Sequence, residues 1–223
     1  MVSIGFEGNG SWTHKCVGSI LTSNAILTSS KCMKSTTWQI RTGAENLKNP
    51  TEGERYDIST RKEVPKESYD LAILFTEKHM HFHSKAQPIC LHNPELRSSS
   101  HGDGKPRDLS QWNEDLTKKI IGEITIDTCA DETRGSHLDE IQCQIDETTI
   151  CPHDSGAPIL TKTRDKNCFL LTGILSNIDE NEGCKDRTTT FIRVEGKEDR
   201  EKAYALWQFI TDELDTGNNQ GTL

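Results

Sequence analysis

The chain has 223 residues and a net charge of −9, with 27 % charged and only 32 % apolar side chains, so it suits a domain of ordinary size with a lean core and a strongly solvated surface. An acidic balance without a basic stripe excludes nucleic acid as a partner, and no stretch approaches the ~20 apolar residues that cross a bilayer, so a soluble chain without a membrane partner is expected. Eight cysteines without tandem CxxC pairs or Cys/His knuckle spacing disfavour structural zinc and favour disulfides formed in an oxidising compartment outside the cytosol.

Short β-rich runs bounded by Gly, Asn, Asp, Pro and Ser clusters recur along the chain. The first spans Met1 to Phe6 and is followed by Asn9-Gly10-Ser11, an N-glycosylation sequon consistent with secretion. Val17 to Thr28, Trp38 to Thr42 and Leu71 to Phe75 come next, with a polar excursion from Asn46 to Glu67 that reads as a surface loop. In Lys78-His-Met-His-Phe-His83 a strand would set His79, His81 and His83 on one face; we read this as an exposed polar strand edge in preference to a Zn²⁺ site. A second polar loop covers Asn93 to Asp115, and Ile120 to Ile126, Ile159 to Leu160, Phe169 to Ser176 and Thr188 to Val194 complete the strand set. Only the end has a helical period: Ala203, Leu206, Trp207, Ile210 and Leu214 share one face from Glu201 to Leu214, with Gly217 as a stop. Strands at this spacing predict an all-β sandwich or barrel that ends in one helix.

The most informative run is Cys151-Pro-His-Asp-Ser-Gly-Ala-Pro158, in which Ser155 occupies a tight Asp-Ser-Gly turn just before a strand and Cys151 can staple that turn. This run resembles the Cys-x-Gly-Asp-Ser-Gly-Gly-Pro signature of the trypsin and chymotrypsin-like serine proteases, with Ser155 at the nucleophile. Two further matches fall in that family's chain order of histidine, aspartate, serine. The segment from Cys16 to Cys32 resembles Cys-Gly-Gly-Ser-Leu-Ile…Leu-Thr-Ala-Ala-His-Cys, with Lys31 where the general base belongs. Tyr69-Asp70-Leu-Ala-Ile-Leu74 resembles Asp-Ile-Ala-Leu-Leu, so Asp70 takes the orienting carboxylate's place. Gly173-Ile-Leu-Ser176 and Phe191-Ile-Arg-Val194 resemble the strand that edges the substrate cleft and the strand before the terminal helix.

The resemblance implies one domain over residues 1–223, built of two six-stranded antiparallel β-barrels and a C-terminal helix. The first barrel takes about 1–108, the second with the helix about 109–216, and 217–223 form a frayed tail. It implies disulfides Cys16–Cys32, Cys129–Cys143 and Cys151–Cys184, and leaves Cys90 and Cys168 to pair with each other or outside the chain. The specificity pocket would be lined by Thr149 and Ile150 at its base, by Pro152, Ser176, Asn177 and Ile178, and by Thr189 where glycine is usual. Branched residues thus replace small ones, and no fixed charge is left to hold a basic substrate side chain. The oxyanion hole would use the backbone N–H groups of Ser155 and His153, where His153 replaces a glycine. In active relatives the aspartate matching Asp154 pairs with an amino terminus freed on activation, which would lie upstream of Met1.

Serine acyl transfer needs a base near pH 7 that takes the hydroxyl proton and returns it to the leaving amine. A lysine beside Asp70 stays protonated, because the opposite charge favours the ammonium form. The expected function is therefore that of a secreted, proteolytically inactive serine protease homologue that acts through protein–protein contacts. By resemblance its partner would be a protease, zymogen, complement or clotting component, or an inhibitor, in an immune or clotting cascade or as an inactivated paralogue in a parasite. The alternative is a weak or highly specific serine hydrolase that uses Ser155 with a non-standard base. No cofactor and no metal are implied.

Overall fold

Alternation of side chains across pleated strands builds the first half. Six antiparallel strands, β1 (Val2–Gly8), β2 (Ser11–Ile20), β3 (Ala25–Ser29), β4 (Gln39–Thr42), β5 (Glu54–Glu63) and β6 (Leu71–Thr76), close into a barrel in the order β1-β2-β3-β6-β5-β4. The computed structural model describes residues 1–64, 70–91, 107–113, 115–124, 129–130, 140–162, 169–176, 178, 183–194 and 208–215, with the backbone alone at 107, 119–124, 129–130, 140–149, 162, 185–190 and 193. Strands β1 and β2 meet through Asn9-Gly10, whose φ values of 51° and 76° make the two-residue turn that fits the natural twist of a hairpin. The run from Val17 to Thr28 is two strands, broken at Leu21, where the Leu21 amide bonds to the Ala25 carbonyl (2.9 Å).

Strand β6 shows why a continuous apolar run is needed in the middle of this fold. Leu71, Ile73 and Phe75 face one apolar cluster while Leu74 faces another, so neither side of the strand meets water. Val2, Ile4, Ile20, Ile26 and Ile40 fill the barrel interior with Leu74.

The second half is a sheet of eight strands. It comprises β7 (Cys90–Leu91), β8 (Arg107–Trp112), β9 (Lys118–Ile124), β10 (Cys129–Ala130), β11 (Glu140–Ile150), β12 (Pro158–Lys162), β13 (Phe169–Leu175) and β14 (Lys185–Arg193). Its order is β10-β11-β14-β13-β12-β8-β9, with β7 added parallel to β13. Two apolar layers join the halves. In one, Trp12, Val17 and Leu47 meet Trp112, Ile159 and Phe191; in the other, Leu27 and Ile73 meet Leu171, Ile174 and Ile192. Helix α1 covers residues 208–215 and adds Ile210 to the second layer. Ala203, Leu206 and Trp207, expected on the same helical face, lie outside the described residues.

Three sequence expectations are corrected. The polar excursion from Asn46 to Glu67 contains β5, which pairs with both β4 and β6 although Tyr56 is its only buried side chain. Backbone pairing on both edges holds a strand whose apolar signal is almost nil. The loop expected from Asn93 to Asp115 contains β8, where Ser110 and Gln111 are buried polar residues between Leu109 and Trp112 and so interrupt the alternation. The histidine-rich segment is no strand edge: residues 78–82 have no regular structure, and its three imidazoles go to different places. His79 Nδ1 bonds to Ser23 Oγ (2.7 Å), His81 Nδ1 to Glu54 (3.2 Å), and the His83 ring lies over Gly43.

Candidate functional site

Ser155 is positioned by a short turn with bonds in every direction. Helix η2, a single 3-10 turn over Pro152–Asp154, follows Cys151 with proline in its first turn, where a missing N–H costs nothing. The Asp154 amide closes the turn onto the Cys151 carbonyl (2.9 Å), and the buried Asp154 carboxylate accepts from the Cys151 amide (2.8 Å). The Ser155 carbonyl then accepts from the Val17 amide of β2 (2.9 Å), and the Gly156 amide donates to Leu175 of β13 (2.8 Å). Gly156 has φ +86°, and a Cβ there would stand 2.1 Å from the Val17 carbonyl oxygen and 2.3 Å from Thr28 Oγ1, so only glycine fits. Disulfide Cys151–Cys184 closes a 33-residue span at the entry to the turn.

The opposite wall comes from the first barrel. Ser29 caps helix η1 (Ser30–Met33) by accepting from the Lys31 amide (3.3 Å), which fixes Lys31, half-buried, at the start of that turn. Disulfide Cys16–Cys32 anchors the next residue to β2, and the Cys32 sulfur lies 3.5 Å from the Ser155 carbonyl oxygen. Asp70 precedes β6, and its carboxylate accepts from three hydroxyls: Ser176 at 2.6 Å, Ser29 at 3.5 Å, and Ser30. Ser176 directly follows β13, so this one carboxylate ties the second half to the first beside the Ser155 turn.

A sequence model of the family described as Trypsin matches residues 1–198. The chain belongs to the Trypsin family. In this Trypsin-family domain the segments that carry Lys31, Asp70 and Ser155 meet at the seam between the two halves, through the Ser30–Asp70 bond and the Cys32 sulfur beside the Ser155 carbonyl. The Ser29 and Ser30 hydroxyls on Asp70 carried no sequence signal, because Ser-Ser before a lysine reads as ordinary loop chemistry.

The family-implied pocket positions divide. Ile150 and Ile178, 0 % and 2 % exposed, belong to the apolar cluster that also holds Trp12, Leu109 and Leu175; Ser176 is fully buried against Asp70, and Pro152 lies in η2. The side chains of Thr149, Asn177 and Thr189 lie outside the described residues. Of the implied disulfides, Cys16–Cys32 and Cys151–Cys184 are present. The backbone register sets Cys129 opposite Cys143, with their side chains outside the described residues. Cys90 sits half-buried in β7 and Cys168 is outside the described residues. No helix among the described residues is long and apolar enough to cross a membrane.

Behind the serine turn lies a polar cluster that the sequence reading missed. His14 is buried and its ring meets that of His153 edge-on at 5.1 Å and that of Trp112 at 5.1 Å. Trp12 Nε1 donates to Ser3 Oγ (2.8 Å), and the Ser3 hydroxyl is hydrogen-bonded to His14 Nδ1 (2.7 Å). Burial, and then the charge of His153, push the His14 pKa well below the ordinary imidazole value, with the nearby His153 carbonyl opposing. The two-residue alternation of Trp12, His14 and Cys16, all buried in β2, was the available signal.

Proposed function

We propose that this Trypsin-family domain is a secreted, proteolytically inactive homologue that works by binding a protein partner. The observation that carries the reading is Lys31 at the sequence position of the general base, one residue after Ser30, whose hydroxyl engages the Asp70 carboxylate together with those of Ser29 and Ser176. An ammonium donates protons and cannot accept the one Ser155 must release. Two further features support it. His153 coils into a 3-10 turn whose Asp154 amide is bonded inward to Cys151, so the turn is not built around the conformational freedom a glycine gives an oxyanion hole. Ile150 and Ile178 place branched, buried side chains where a substrate side chain would enter. Two disulfides suit an extracellular chain, and loops carried on a rigid barrel suit a binding role. A protease, zymogen, cascade component or inhibitor is the class of partner we favour.

Reaction with a fluorophosphonate probe tests this. The folded protein is expected to label no faster than its Ser155→Ala variant. Brisk labelling lost in Ser155→Ala would establish instead the second reading, a specialised hydrolase, which the intact Asp70–Ser176 bond favours. Capture of an extracellular protease or inhibitor by the wild-type domain is the complementary measurement.

A further inference from the structure

Asn9-Gly10-Ser11 lies at the tip of the β1–β2 hairpin, and all three residues are exposed. The two-residue turn at Asn9-Gly10 turns the tip outward, with Gly8 and Ser11 as the last paired residues. Nothing stands within 4 Å of a Cβ built on Gly10, so the space around the tip is open. Ser3, paired with Val17 beside the Ser155 carbonyl, is six residues from Asn9, which at ~3.3 Å per residue sets the tip about 20 Å along the strand from the serine turn.

We infer that Asn9 is an N-glycosylation site, occupied when the chain passes through the secretory lumen; the inference rests on the secreted reading above. In the transfer, the Asn9 amide nitrogen loses one proton and bonds to C1 of a lipid-linked oligosaccharide. The C1–oxygen bond to the lipid diphosphate breaks, and the diphosphate leaves with the electron pair. The glycan projects from the hairpin end into solvent and leaves the seam around Ser155 open to a protein partner. Asn9 has two roles: its tolerance of positive φ forms the turn, and its amide takes the sugar. Ser11 serves only the second, since its backbone pairs with Gly8 whatever its side chain.

The test isolates the native protein from the extracellular fluid and from the cells of its source and treats both with a peptide N-glycosidase in heavy-oxygen water. Extracellular protein whose mobility shifts and whose Asn9 becomes labelled aspartate bears out the site. Extracellular, disulfide-bonded protein with an unmodified Asn9 overturns the glycan and leaves secretion standing. Protein found only inside cells with reduced cysteines overturns secretion, and the glycan with it. Ser11→Ala, produced in a secreting eukaryotic host, is expected to lose the mobility shift with an unchanged fold by circular dichroism; a shift that persists would place the sugar elsewhere and sink the assignment.

Discussion

An imidazole and an amine differ in what they do with a proton at pH 7. The first accepts and returns it, whereas the second holds it. Restoring the imidazole alone does not rebuild the enzyme if the turn and the pocket have also changed. Lys31→His is accordingly expected to leave peptide turnover roughly 10²–10³-fold below that of an active member of the family, the usual loss for a defective oxyanion donor. Steady-state assay with a panel of peptide substrates decides it, and full turnover from that single change would show that His153 and the two isoleucines do not matter. At this scale the candidate positions were readable because Lys31, Asp70 and Ser155 each sit in a short motif whose neighbours are fixed by backbone demands, as Gly156 is. His14 was not legible, since one histidine in a strand has no pattern of its own until the fold sets His153 against it.

Within the first barrel, the loop between β4 and β5 is organised from inside by one cation. Arg41, fully buried, donates from Nε to the Glu52 carbonyl (2.9 Å), from Nη1 to the Leu47 carbonyl (3.0 Å), and from Nη2 to the Glu52 (2.7 Å) and Asn49 carbonyls. The Glu52 carboxylate closes the same loop by accepting from the Glu45 and Asn46 amides, both at 3.0 Å, and the Glu45 amide above all holds its pKa below the usual carboxylate value. Arg41→Met keeps an unbranched apolar stem and removes every donor, leaving buried carbonyls unmatched. A loss of about 3 kcal/mol in urea unfolding is expected, with faster amide exchange over residues 45–53. Arg41→Lys should recover only part of it, because an ammonium cannot reproduce the planar fork; a change below ~1 kcal/mol in Arg41→Met would show that the loop holds itself. Such a loop explains where sequence reading stopped. Composition marked the segment from Asn46 to Glu67 as polar and exposed, which most of its side chains are, but β5 is held by backbone pairing and the loop by one internal arginine. Strands with two apolar faces, such as β6, were found because burial on both sides leaves an unbroken run.

The two halves of the molecule are coupled through buried groups at their seam, and one of these is a histidine whose pKa burial pushes well below the ordinary imidazole value. His14 on β2 is packed between Ser3 of β1, Trp112 of β8 and His153 of the serine turn, and its folded pKa is well below the ~6.5 of an unfolded histidine. The unfolded chain therefore binds a proton at this residue when the folded one does not. Stability from His14 is fully present above pH ~6.5 and falls on acidification by up to ~1.4 kcal/mol per pH unit until the folded pKa is reached. The carboxylates with lowered pKa values, Glu52 and Glu54, act in the same direction but only below their unfolded value of 4.5, so in the window from pH 6.5 to 5 the imidazole's share is the difference in slope between the wild type and a variant at position 14. Urea midpoints measured across that window are expected to drop more steeply for the wild type than for His14→Gln, which keeps a polar group beside Ser3 but cannot take up a proton. Equal slopes in the two proteins would mean that His14 is already solvated in the native state, and that the seam behind Ser155 is open where the packing of Trp112 and His153 makes it closed.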